Sequence, residues 1–146
     1  MARLVGAIPV IAEQSGRAVV LVGGLAVMCR LPSPYRVTTD LDTVDRRGTA
    51  DIPQLQLLVS AGATPSGPAG VLVRTPRGDV QVDVLEVTDA ELDDLPADPT
   101  DRLHVLSHAW AAATASAVTL SVDGLDPVRV PWPSRVRSSP SSFSRS

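Results

Sequence analysis

The chain contains no lysine; all 13 of its basic residues are arginine. No ammonium group is therefore available as a phosphate ligand or a general base. With abundant Ala, Gly, Pro and Asp, this bias suggests a GC-rich genome. Cys29 is the only cysteine, which excludes a disulfide framework and a cysteine zinc cluster. Aromatic residues make up 3% of the chain, so the core must be assembled from Val, Leu and Ala. No apolar run approaches the roughly 20 residues of a membrane span. The net charge of −3 argues against broad nucleic-acid binding through bulk charge, and any such contact would need a local arginine patch. Met1 to Ser15 carries no small-residue cleavage pattern before the next strand, so it reads as an N-terminal helix and the expected location is cytoplasmic.

What remains is one domain's worth of chain, 146 residues at 44% hydrophobic content, long enough to bury a core. Leu4, Ile8 and Ile11 fall at helical spacing, with a kink or a start expected at Pro9. A strand over 18–22, a helix over 24–30 and a proline-bearing loop over 31–37 follow. A second strand spans Asp40 to Asp45. Asp51 reads as the N-cap of a helix carrying Leu55, Leu57, Leu58 and Val59. The segments 71–74 and 80–87 flank Pro76-Arg77-Gly78-Asp79, a hairpin signal. Asp89 to Thr100 reads as an acidic loop. Asp101 reads as the cap of a helix to Ser116, with Leu103, Leu106, Trp110 and Ala113 on one stripe. Val118 to Val122 and Val128 to Val130 form a last hairpin around Asp123-Gly124. The expected fold class is α/β (α+β), a small mixed sheet with helices packed on it.

Composition changes abruptly after residue 130. Seven serines, three prolines and three arginines crowd into 131–146 with no acid and no periodicity. The expected division is a domain over 1–130 and a disordered tail over 131–146. A frame shift near Pro131 would produce such a change, and reading the gene tests it.

The chemistry concentrates between Val20 and Val44. Val19-Val20-Leu21-Val22 is a β-branched run, ended by Gly23-Gly24 and followed by Thr38-Thr39-Asp40-Leu41-Asp42. Alternation puts Asp40 and Asp42 on one face of a strand and Leu41 on the other. Two adjacent carboxylates repel each other, and a divalent cation removes that cost. Nucleotidyl transfer uses clustered carboxylates to hold such ions. A third ligand should come from a neighbouring strand. Asp83 in Val80-Gln81-Val82-Asp83-Val84 is the candidate, opposite the valine face, with Glu86 as the fallback. Gly23-Gly24 lets the backbone approach phosphates where no Cβ intrudes. Arg36, four residues before Asp40, is placed to contact a triphosphate or pair with an aspartate. His104 and His108 lie i, i+4 on one helix, but no carboxylate or thiol completes a metal set, so they read as surface or packing residues. Ser107 has no nucleophile-elbow context.

Val20-Leu21-Val22-Gly23-Gly24-Leu25-Ala26-Val27 followed by Arg36-Val37-Thr38-Thr39-Asp40-Leu41-Asp42 resembles the AbiEii-like nucleotidyltransferases of the polymerase-β-type superfamily. Members include toxins of bacterial toxin–antitoxin systems. The resemblance covers about residues 15–130. It implies a nucleotidyltransferase fold and transfer of a nucleoside monophosphate from a triphosphate, with Mg²⁺ or Mn²⁺ as cofactor. It implies Asp40, Asp42 and Asp83 as metal ligands and catalytic residues, and Gly23, Gly24, Arg36 and Thr39 as nucleotide-binding residues. Implied partners are a nucleoside triphosphate, a tRNA 3′ end as acceptor and an antitoxin protein, with no membrane. Two departures stand out. Gly24 occupies a position where members commonly carry Ser, and the C-terminal helical region with its nucleotide-contacting lysine has no counterpart in this lysine-free chain. The expected product is therefore C-terminally truncated. Alternative expectations are an inactive nucleotide- or antitoxin-binding remnant, and a nucleotidyltransferase acting on a small molecule such as an antibiotic.

Overall fold

A computed structural model of the chain describes residues 1–23 and 39–133. The first helix, α1 (Ala2–Ser15), buries Leu4, Val5, Ala7, Ile8 and Ile11 along one stripe. Pro9 sits inside it on the exposed side, so the helix runs through rather than starting there. Gly16 closes it in the left-handed conformation, φ 66°. Strand β1 (Val20–Val22) follows, then β2 (Asp40–Arg47), α2 (Gln54–Ser60), β3 (Thr64–Pro65), β4 (Gly70–Thr75) and β5 (Gly78–Thr88). The chain continues through α3 (Asp89–Asp93), α4 (Pro99–Ala113), β6 (Ala115–Leu120) and β7 (Val128–Pro133). The sequence helix over 24–30 and the loop over 31–37 lie outside the described residues.

Among the described residues the strands form a five-stranded sheet in the order β1-β2-β5-β4-β3 and a separate β6-β7 pair. Among these described strands only β2 and β5 run parallel, in register from Asp40↔Gln81 to Arg47↔Thr88. Such a pair needs a long crossover, and α2 with the β3-β4 hairpin supplies it. This is a small mixed α/β fold, with a five-stranded sheet and helices packed against it.

One face of the sheet carries Leu21, Leu41, Val71, Val73, Val80, Val82 and Val84, which join Leu4, Val5, Ile8, Ile11 and Leu58 in the core. The alternation in 80–84 is the physical origin of this face, and α1 and α2 cover it. A polar relay ties the cover down. Asp45, 4% exposed, accepts from the Gln54 backbone N–H at 2.8 Å. The Gln54 side chain donates to Ser15 Oγ at 3.1 Å, and Ser15 Oγ donates to the Ile11 carbonyl at 2.8 Å.

Three further local expectations are corrected. Helix α2 is capped across nine residues by Asp45 rather than by Asp51, whose carboxylate instead accepts from the Gly48 N–H at 2.9 Å. The supposed loop over 89–100 contains α3, started by a Thr88/Glu91 capping box. Helix α4 begins one turn earlier than read. Asp98 accepts from the N–H groups of Thr100 and Asp101, with Pro99 in the first turn. The stripe read on α4 faces outward. Leu103, Leu106 and Trp110 are 68%, 43% and 52% exposed, whereas Val105 and Ala111 are buried. Helix α4 thus packs on the sheet with Val105 and Ala111 buried, and the larger stripe turns to the outside.

Helix α4 also holds the two histidines, whose ring centroids are 4.0 Å apart, edge to face. Burial, and secondarily the charge of His104, hold the His108 imidazole below its ordinary value of 6.5. The unfolded chain therefore binds more protons than the folded one just below pH 6.5, and stability falls as pH drops through that window. Below the folded-state value the slope vanishes. Urea melts between pH 5 and 8 are expected to show this slope in the wild type and a shallower one in His108→Gln.

Candidate carboxylate site

Among the described residues the second face of the sheet is covered over part of its length. Helix α4 lies across the C-terminal half of β2 and β5, where Val44 and Val87 are buried. A cleft of about 450 Å³, lined by Val20, Val44, Ala109 and Ala112 among others, opens beside it. Toward the start of β2 the same face carries carboxylates. Asp40, Asp42 and Asp83 are all half-buried, while Leu41, Val82 and Val84 between and beside them face the core.

Register decides their grouping. Asp42 pairs directly with Asp83 across the parallel β2-β5 ladder, a strand spacing of about 4.8 Å. Asp40 lies two residues back on the same face, about 6.6 Å along β2. One row across the sheet thus reads Val22, Asp42, Asp83, Gly70. The next reads Asp40, Gln81, Leu72, Thr64. Thr39 Oγ1 donates to Asp40 Oδ1 at 3.1 Å.

Two glycines border the carboxylate row. Gly23, at φ 69°, lies against Asp42, and a Cβ there would fall 2.9 Å from the Asp42 Cβ and Cγ. Its lack of a side chain is thus required by a carboxylate as well as by the turn. Gly70 is the register partner of Asp83. A Cβ there would stand 2.7 Å from Asp83 Oδ1 and closer still to Ser66 O and Gln81 Nε2. Gln81 Nε2 donates to Asp83 Oδ1 at 3.0 Å and to the Ser66 carbonyl at 3.4 Å.

Glu86, the fallback ligand, is not brought to this row. It pairs with Asp45 in register and its carboxylate accepts from Arg47 Nε at 2.8 Å. Gly24 and Arg36 lie outside the described residues, as does Cys29. Sequence reasoning missed Gly70 and Gln81. The available signal was the alternation that puts Gln81 on the same face as Asp83, and a glycine opening a valine strand.

Among the described residues no three His, Cys, Asp or Glu side chains gather closely enough to hold a metal ion by themselves. No helix among them is long and apolar enough to cross a membrane. The fold and the row define a mixed α/β domain with two register-paired carboxylates on one face of its sheet. No family model, no curated protein and no solved structure matches the chain.

Proposed function

We propose that the chain is a metal-dependent nucleotidyltransferase domain, with a nucleotidyltransferase fold, that transfers a nucleoside monophosphate from a nucleoside triphosphate to an acceptor hydroxyl. The single observation that carries this reading is the Asp42↔Asp83 register pair on parallel strands, with Asp40 two residues back on the same face. The donor set is all oxygen, the chemistry of Mg²⁺ or Mn²⁺. Mg²⁺ is commonly bound by one or two carboxylates together with substrate phosphates and water. A pair of aspartates that does not close a three-ligand cage on its own fits that mode. The glycines on either side of the row leave the carboxylates space that a Cβ would fill.

In this reading Asp42 and Asp83, with Asp40 beside them on the same face, would hold the ion and activate the acceptor hydroxyl. The bound ion supplies charge neutralisation on the triphosphate and a lowered pKa of the acceptor hydroxyl. The acceptor oxygen bonds to the α-phosphorus as the bond to the pyrophosphate oxygen breaks. Gly23 gives the triphosphate a backbone approach without a Cβ. The resemblance to toxins of toxin–antitoxin systems extends the proposal to a tRNA 3′ end as acceptor and an antitoxin as partner.

One observation favours a second reading, a domain of the same fold that binds nucleotide or antitoxin without turnover. It is the lack of any lysine in the chain, where the enzymes it resembles carry a nucleotide-contacting one. Label transfer from each of the four α-³²P nucleoside triphosphates to total tRNA, with Mg²⁺, separates the two. The enzyme reading expects label on tRNA that disappears in Asp40→Ala. Antitoxin or nucleotide binding that survives Asp40→Ala, with no label on any acceptor, replaces it by the second reading.

A further inference from the structure

Gln81 occupies an unusual place beside the carboxylate row. It is the register partner of Asp40 on one side and of Leu72 on the other, yet its side chain reaches along its own strand to Asp83. Both groups it meets, the Asp83 carboxylate and the Ser66 carbonyl, accept hydrogen bonds and cannot donate them. The amide is therefore oriented without ambiguity: its NH₂ faces them and uses one N–H for each. The Ser66 carbonyl is itself fixed, because the Ser66 N–H donates to the Gly70 carbonyl at 2.9 Å and closes the β3-β4 turn. Gly70 completes the arrangement, since a Cβ there would strike the Ser66 carbonyl, the Gln81 amide and Asp83 Oδ1 together. Among the described residues Gln81 supplies the one donor to this carboxylate, which leaves Oδ2 as the oxygen to meet a cation.

We infer that Gln81 is the positioning residue of the metal site. Its amide anchors Asp83 Oδ1 to the β3-β4 turn, so that Oδ2 is presented to a divalent cation shared with Asp42. The inference rests on the nucleotidyltransferase reading only in requiring that Asp42 and Asp83 bind such an ion. Carboxylates that ligate metals are held by outer hydrogen bonds of this kind, and losing one weakens metal affinity by about 10–100-fold. Leu72, the register partner of Gln81 on β4 and 37% exposed, serves as the control.

The test is Mn²⁺ titration of the whole chain, followed by the free-ion electron paramagnetic resonance signal, for wild type, Asp83→Asn, Gln81→Met and Leu72→Ala. Asp83→Asn and Gln81→Met should each weaken binding by about 10–100-fold, while Leu72→Ala binds as the wild type does. The metal-free thermal midpoint of Gln81→Met should stay at the wild-type value, and the Mg²⁺-induced shift of the Asp83 carboxyl ¹³C resonance should disappear while that of Asp42 persists. If Gln81→Met does not fold, Gln81→Thr serves, because threonine suits a strand and its hydroxyl stops short of Asp83. Wild-type affinity in the Gln81 variant, with binding lost in Asp83→Asn, overturns the inference and leaves the metal site standing. No Mn²⁺ binding by the wild type, or undiminished binding by Asp83→Asn, overturns both.

Discussion

Leu58→Ala is expected to lower the unfolding free energy by about 3 kcal/mol, and Leu103→Ala by less than about 0.5 kcal/mol. The chemical change is identical, so the difference isolates the environment. Leu58 has no exposed surface and sits in the main core with Ile8, Ile11, Val71 and Val73. Truncating it removes apolar area from the core and leaves a cavity that the valine sheet, stiff at χ1, fills poorly. Leu103 is 68% exposed, so its truncation removes little that folding had buried. Paired urea melts measure both. A loss at Leu103 as large as that at Leu58 would mean that the outer stripe of α4 is covered.

Asp45→Ala is expected to cost a similar amount, about 3 kcal/mol, by another route. The carboxylate caps α2 through the Gln54 N–H and accepts from Arg17 Nη1 at 3.2 Å, with Arg47 Nε 3.9 Å away. Its removal orphans a buried N–H at the start of a seven-residue helix, which has few other bonds to lose. Arg17 is 29% exposed and regains water, so the ion pair itself contributes the smaller share. Asp45→Asn keeps an acceptor for Gln54 and should recover about 1 kcal/mol. Equal losses in the Ala and Asn variants would instead assign the stabilisation to charge.

Neither residue's role could be found by local pattern. Asp51 had the sequence position of a cap, before Pro53 and an apolar run, but the cap comes from a strand nine residues back because β2 delivers Asp45 to the mouth of α2. The stripe Leu103, Leu106, Trp110 has good helical spacing, yet spacing only states that side chains share a side, not which side meets the sheet. In the folded chain it is Val105 and Ala111 that are buried. At α3 the signal was present, since Thr88 and Glu91 form a capping box, but an acidic, proline-rich composition obscured it.

For the carboxylates the division is sharper. Alternation by itself determined that Asp40 and Asp42 share a face, that Asp83 lies opposite Val80, Val82 and Val84, and that strands flank the turn near Gly78. These follow from the two-residue period of an extended chain, a property of the local backbone. Only the tertiary structure decided that β2 and β5 are parallel neighbours, that Asp42 pairs with Asp83 in register, and that Gln81 donates to Asp83 beside Gly70. Strand order and register depend on the crossover between distant segments and on the packing of its helix. A one-residue slip would carry every valine of β5 to the wrong face. The periodic sequence fixes each strand's two sides, and the shared core selects which strands come together.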